Sequence, residues 1–277
     1  MKSNSFDPIQ FYATYPEKVI GRPGYPARAA FKSTVLWQRF GYRILQNLPK
    51  VETYADIGGC FGFGANAMAY WIGESQGSLP STCVFEIASE FVSVGQVLFP
   101  RIRFLMSDFA QWKSEPKVFD LVTLLDVIEH IVEPEEFLVA VASRSKYLLL
   151  KTPMETSGEW RGSTPPTMSG SSHPDGHVNF FSPASYEELL VRCGIEVIDR
   201  AIVPTIVPCG SEQILIPENK QPAMGQTLAH PRGAARWAFY SSLNYLSRRH
   251  ILPWKLVRKI AGGGDHICLC RVLRFDS

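Results

Sequence analysis

The chain has 277 residues, 45% of them hydrophobic and 19% charged, with a formal net charge of +2. This is the composition of an ordinary soluble globular protein, long enough for one large α/β domain or two small ones. No apolar run approaches the roughly 20 residues of a membrane span, and residues 1–7 lack the apolar centre of a secretory signal, so a cytoplasmic location is expected.

Residues 1–25 combine aromatics with turn formers (Phe11, Tyr12, Tyr15, Pro16, Pro23, Gly24, Tyr25) and read as an irregular arm. Between 27 and 48 the apolar residues Ala30, Val35, Leu36, Phe40, Ile44, Leu45 and Leu48 recur at helical spacing, which predicts an amphipathic helix. Strands and helices then alternate. Strands are predicted over 52–57, 83–86, 103–106, 119–125, 147–150 and 195–203, with a last strand over 266–273. Helices are predicted over 64–72, 90–98, 134–143 and 183–193. The run Phe119-Asp120-Leu121-Val122-Thr123-Leu124-Leu125 suits a strand buried on both faces. Alternation of this kind implies a parallel, doubly wound α/β sheet.

Two stretches break the rhythm. Residues 152–179 are rich in Pro and Gly and read as a long loop of the kind that serves as a functional lid or stays disordered. Residues 208–264 form an insertion before the last strand. Within it, Arg232, Arg236, Arg248, Arg249, Lys255, Arg258 and Lys259 fall between 230 and 260 with no acidic residue, so the rest of the chain is net acidic. The expected organisation is an arm and helix over 1–50, a core over 51–207, the insertion as a helical cap over 208–264, and the last core strand over 265–277. None of the six cysteines forms a C-x-x-C pair. Cys268 and Cys270 flank Leu269 and should share one face of a strand as buried thiols. No metal site is expected.

The turn Asp56-Ile57-Gly58-Gly59-Cys60-Phe61-Gly62 follows a strand and opens a helix, where an open α/β sheet binds its ligand. Glycine is expected there because a Cβ would block the approach of backbone to ligand. By itself the turn is also compatible with a tight bend that holds nothing. It is not a dinucleotide fingerprint, since Ile57 occupies the first glycine position, and no Lys-Ser/Thr follows to make a phosphate loop.

The turn resembles the first motif of the class I methyltransferases that use S-adenosylmethionine (SAM), an acidic residue followed by G-x-G-x-G. Cys60 replaces the middle glycine, a departure expected to narrow the methionine end of the pocket. Further residues follow in the family's order: Glu86 after the second strand, Asp108 after the third, and Leu124-Leu125-Asp126-Val127-Ile128-Glu129-His130-Ile131-Val132-Glu133-Pro134 after the fourth. The resemblance is closest to a small-molecule branch that includes ubiquinone-type and sugar methyltransferases, and His177-Val178-Asn179-Phe180-Phe181-Ser182-Pro183 is typical of it. It implies a Rossmann-like sheet of order 3-2-1-4-5-7-6, mostly parallel with an antiparallel last strand and helices on both faces. It also implies SAM as cofactor, bound by Asp56, Gly58, Gly59, Cys60, Gly62, Glu86, Ile87, Ser107, Asp108, Phe109, Leu125 and Asp126. In that arrangement Glu86 takes both ribose hydroxyls, because a carboxylate accepts two hydrogen bonds at once. Asp108 meets the adenine amine, with Phe109 beside the ring.

Methyl transfer often requires a base at the acceptor. The candidates are His130, His173 and His177, since histidine titrates near neutrality. Each has a plainer alternative: His130 as a ring packed under a loop, and His173 and His177 as flanks of an ordinary Pro-Asp-Gly turn. The basic aromatic stretch 230–260 suits a cap over the acceptor site, a peripheral membrane contact or, least well, nucleic acid. The expected function is O-methylation of a sugar or glycan precursor. The alternatives are a quinone or lipid precursor at a membrane surface, and a SAM-binding protein without catalysis.

Overall fold

Helix α1 (Tyr25–Asn47) buries Leu36, Trp37, Phe40, Gly41 and Ile44, three or four residues apart, so one stripe faces the sheet while Tyr42 lies exposed. The computed structural model describes residues 16, 19, 25–112, 118–154, 176–203 and 264–273. After α1 come β1 (Thr53–Ile57), α2 (Phe63–Gln76), β2 (Ser81–Glu86), α3 (Ser89–Leu98), β3 (Arg103–Met106), β4 (Phe119–Leu125), α4 (Pro134–Ala142), β5 (Ser145–Met154), α5 (Pro183–Arg192), β6 (Ile195–Val203) and β7 (Gly264–Val272). Single 3-10 turns lie at Phe109–Gln111 and Ile128–His130.

The seven strands form one sheet in the order β3-β2-β1-β4-β5-β7-β6. Strands β1 to β5 pair in parallel, and β7 runs antiparallel between β5 and β6. This is the Rossmann-like topology the sequence resemblance implied. Alternate residues sort to opposite faces. Ala55, Phe85, Val122, Leu124, Leu148, Leu150, Cys268 and Cys270 pack with Phe137, Leu138, Tyr186 and Leu189 of α4 and α5. Tyr54, Val84, Leu121, Leu149, Ile267 and Leu269 pack with Leu36, Phe40, Met68 and Ile72 of α1 and α2. Cys268 and Cys270 therefore share a face, as expected, and are buried free thiols.

Register decides where the chemistry can sit. Ile57 pairs with Phe85 and Leu124, and Leu124 with Leu150. The residues just beyond those positions, Gly58, Glu86, Asp126 and Lys151, consequently emerge along one carboxyl edge of the sheet. Local signals set the helix ends. Gly77 takes a left-handed φ of 78° after α2, and Ser182 caps α5 in a reciprocal bond with Ser185, with Pro183 in the first turn.

Strand β5 differs from expectation. It continues past Leu150 to Met154, because Lys151 and Thr152 pair with Ile267 and His266 of β7. Residues 152–154, expected at the start of the Pro/Gly-rich loop, are accordingly strand. Residues 155–175, with His173, and the insertion 208–263 lie outside the described residues. Among the described residues no helix is long and apolar enough to cross a membrane.

Phe40 is fully buried and Tyr42 is 78% exposed on the same helix. Phe40→Ala should lower unfolding free energy by about 3–5 kcal/mol, whereas Tyr42→Ala should change it by less than about 0.5 kcal/mol. Urea unfolding of the two variants checks the assigned face of α1.

Candidate functional site at the carboxyl edge of the sheet

Between β1 and α2 the chain turns through Gly58 and Gly62, with φ of 69° and 85°, and through Cys60 at 49°. A Cβ on Gly62 would lie 2.6 Å from the Phe104 ring, and one on Gly59 would lie 2.7 Å from Asp56 Oδ2. The chain's own packing thus supplies a reason for these glycines in addition to the approach of backbone to ligand expected from the sequence. Cys60 tolerates a conformation that suits glycine better. Burial and the nearby Glu86 carboxylate push its thiol up to about 12, so it stays protonated and is no nucleophile.

Asp56 is buried at the end of β1 and accepts a 2.6 Å hydrogen bond from Thr123 Oγ1. Because that hydroxyl spends its single proton on Asp56, the 2.7 Å contact between Tyr54 and Thr123 has the tyrosine donating. Burial lifts the Asp56 carboxyl to about 7, with the Thr123 bond opposing and the Glu86 carboxylate adding to the rise. Asp56 therefore braces the turn from beneath.

Glu86, also buried, accepts from Cys60 N at 3.0 Å through Oε2, and from Ile87 N at 2.7 Å and Ala88 N at 3.2 Å through Oε1. These bonds lock its carboxylate against the turn and oppose the upward shift that burial causes. Ile87 beside it is 46% exposed. Asp108 accepts from Ala110 N through Oδ1 and stays half-buried, and the Ser107 hydroxyl donates to the Asp108 carbonyl. Phe109 departs from expectation. Its ring is buried edge-on against Phe85 at 4.7 Å, beside Trp112 and Phe119, so it anchors the turn in the core and offers no platform to a ligand.

Leu125, the last residue of β4, is half-buried, and Asp126 just beyond it takes a left-handed φ of 59°. Its two oxygens meet Lys32 of α1 and Lys151 of β5, and Lys151 also meets Asp265 at 3.1 Å. Burial pushes Asp126 upward, but the two ammonium groups outweigh it and hold the carboxyl well below the usual range. The motif Asp126 was expected to border the donor; neither lysine that holds it was foreseen. Lys151 had one legible signal, a charge directly after the apolar run Tyr147–Leu150. Lys32 had none, lying 94 residues from its partner.

The next turn carries Glu129 and His130. Glu129 is wholly buried, and burial together with the Asp126 charge pushes its carboxyl well above the ordinary range. The Glu129 carbonyl accepts from Val178 N at 2.8 Å and Asn179 N at 3.0 Å, while the Asn179 amide donates to the carbonyls of Ile131 and Ile128. Residues 176–180 are thereby clasped over the turn, which brings His177 edge-on to His130 with ring centroids 4.8 Å apart. His130 Nδ1 lies 3.2 Å from the Gly176 carbonyl. Two of the three candidate histidines thus meet.

These residues suit an adenosine-bearing cofactor. Three amides leave the four-site Glu86 carboxylate at least one further acceptor position for a diol. Ile87 supplies an exposed apolar surface for a flat base, and Asp108 keeps Oδ2 for an exocyclic amine. Such a site, at the carboxyl edge of a Rossmann-like doubly wound sheet, suits a nucleoside-bearing cofactor.

A family model described as a methyltransferase domain matches residues 34–200. The chain belongs to that family: it is a class I SAM-dependent methyltransferase. Solved structures agree on the fold. The (4+2)-cyclase SpnF is 14% identical with a TM-score of 0.54, covering 88% of this chain and 80% of its own. A phosphoethanolamine N-methyltransferase 2 from Haemonchus contortus, in complex with phosphomonomethylethanolamine and S-adenosylhomocysteine, is 15% identical with a TM-score of 0.52, covering 88% and 52%. Magnesium protoporphyrin IX methyltransferase from Synechocystis, with bound SAM, is 14% identical with a TM-score of 0.50, covering 74% and 94%. No curated protein matches in sequence.

Two outcomes follow from the turn. Cys60→Gly should raise stability by about 1 kcal/mol by relieving the left-handed side chain, read as a higher urea midpoint with no loss of S-adenosylhomocysteine affinity. Asp56 near 7 in the fold, against 3.8 for an ordinary aspartate, contributes stability that is complete below about pH 4 and is lost as pH rises from there through 7. Asp56→Asn should flatten the fall of the urea midpoint between about pH 4 and 7.

Proposed function

We propose that the protein transfers the methyl group of SAM to a hydroxyl of a small molecule, with a sugar or glycan precursor as the acceptor. The observation that carries this reading is the His130–His177 pair, held over the turn after β4 at the same edge of the sheet as the cofactor turn. Bound SAM supplies an electrophilic methyl carbon on a sulfonium. The chain's residues do the rest. Glu86 and Asp108 orient the adenosine. Asp126, fixed by its lysines, closes the donor end. His130 and His177 make it easier for an acceptor hydroxyl to ionise as it attacks. An alcohol needs that help because its nucleophilic form is the alkoxide, whereas a neutral amine already carries its lone pair. The choice of a sugar rests on the resemblance to a branch that includes sugar as well as ubiquinone-type methyltransferases, of which the His177–Pro183 segment is typical.

Calorimetry with S-adenosylhomocysteine should show one site per chain, weakened about tenfold or more by Glu86→Ala, which removes at least one charge-assisted hydrogen bond. Methyl transfer should be found among hydroxylated acceptors, with kcat in His177→Ala reduced at least about tenfold and cofactor affinity unchanged. Transfer to amines but to no hydroxyl would overturn the reading.

A further inference from the structure

Glu129, His130 and His177 bring one carboxylate oxygen and two imidazole nitrogens within 4.8 Å of one another. Glu129 is 0% exposed, and neither of its carboxylate oxygens has a hydrogen-bond partner. A carboxylate stripped of water and given no donor is costly unless a proton or a cation joins it. The nearby ammonium groups are engaged elsewhere, Lys32 and Lys151 on Asp126 and Lys151 also on Asp265. A second, independent indication is geometric. His130 Nε2 lies 3.9 Å from Glu129 Oε1, beyond hydrogen-bond reach, while its Nδ1 meets the Gly176 carbonyl at 3.2 Å. The His177 ring stands edge-on to the same imidazole. Groups so placed suit ligands of one ion. Bonds near 2.0–2.1 Å put neighbouring ligands about 3.3 Å apart in a tetrahedral site, so each atom would close by less than about 1 Å.

We propose that Glu129, His130 and His177 bind a divalent first-row transition ion of the Zn2+, Mn2+ or Co2+ type, with its remaining positions open to an acceptor oxygen. Two imidazoles and one carboxylate favour such an ion over Mg2+ or Ca2+, which prefer all-oxygen sites. Only the ion's role rests on the O-methylation reading: an open position would take the acceptor hydroxyl and lower its pKa, as a metal does for bound water. Binding itself stands independently of that reading. The site also departs from the metal-free expectation, because the third ligand lies 47 positions from its neighbour His130 and no short motif joins them.

The test is a Co2+ titration of the full chain after chelator treatment, read by the visible absorption of coordinated Co2+ and by displacement with Zn2+. S-adenosylhomocysteine calorimetry on every variant reports whether fold and cofactor site survive. The expected result is one ion per chain, with affinity reduced by about 100-fold or more in His177→Ala, beyond the usual range for residues that only support a ligand. Glu129→Gln should behave alike. If it fails to fold, His177→Ala decides alone, since its side chain hangs from the clasp and not from the buried turn. No Co2+ binding at about 1 mM, or affinity in His177→Ala within tenfold of the unaltered chain, would overturn the site and leave Glu129 a protonated buried acid. Methyl transfer that persists in chelated enzyme would likewise remove the ion's role while leaving O-methylation intact. Co2+ binding without transfer to any hydroxyl would do the reverse.

Discussion

Asp126 is the point on which the carboxyl edge of the sheet depends. Its carboxylate leaves β4 in a left-handed residue, and its backbone N–H donates to the Lys151 carbonyl at 2.9 Å. Both side-chain oxygens then meet lysines from different elements, and one of those lysines continues to Asp265 on β7. A single carboxylate thereby ties helix α1 to β4, β5 and β7. Removing one partner of the buried Lys151–Asp265 pair should cost about 3–5 kcal/mol, because it leaves a charge without compensation. An exposed pair such as Arg192–Glu135, with both side chains more than half accessible, contributes about 0–1 kcal/mol. The fold concentrates its electrostatic stake at the carboxyl edge of the sheet.

The second organising contact is the clasp on the turn that follows. The Glu129 carbonyl collects two amide hydrogens from residues 178 and 179, and Asn179 ties its amide back to the same turn. Backbone groups at an irregular turn must find partners somewhere, and here that need draws a distant segment onto the site. The histidine pair is a by-product of backbone satisfaction. Chemistry at this edge thus rests on main-chain geometry that side-chain substitutions leave largely untouched, a sound foundation for a family in which one fold hosts many reactions.

The elements legible in the sequence were those with local causes. The apolar stripe of α1, the glycine punctuation around β1 and the double-sided apolar run of β4 each declared themselves within a few residues. Glu86 and Asp108 were legible as acids at strand ends in a recognisable order. What stayed hidden depended on distant partners. The extension of β5 to Met154 needs β7, the pairing of Asp126 needs Lys32, and the inward turn of Phe109 needs the rings of Phe85 and Trp112. A further reason for the glycines was hidden in the same way: Asp56 and Phe104 leave no room for a Cβ at Gly59 and Gly62.

Strand β7 has a consequence for how the chain reaches this structure. It lies between β5 and β6, which do not pair with each other. Roughly sixty residues separate β6 from β7, so during synthesis β5 carries an open edge until the ninth residue of β7 has emerged. Open edges template wrong pairings, and contacts that join distant segments form late because loop closure must come first. The buried Lys151–Asp265 bridge forms only when that strand slides home. The same event that completes the sheet completes the ion network beneath the active edge, so a partly folded chain cannot present a finished site.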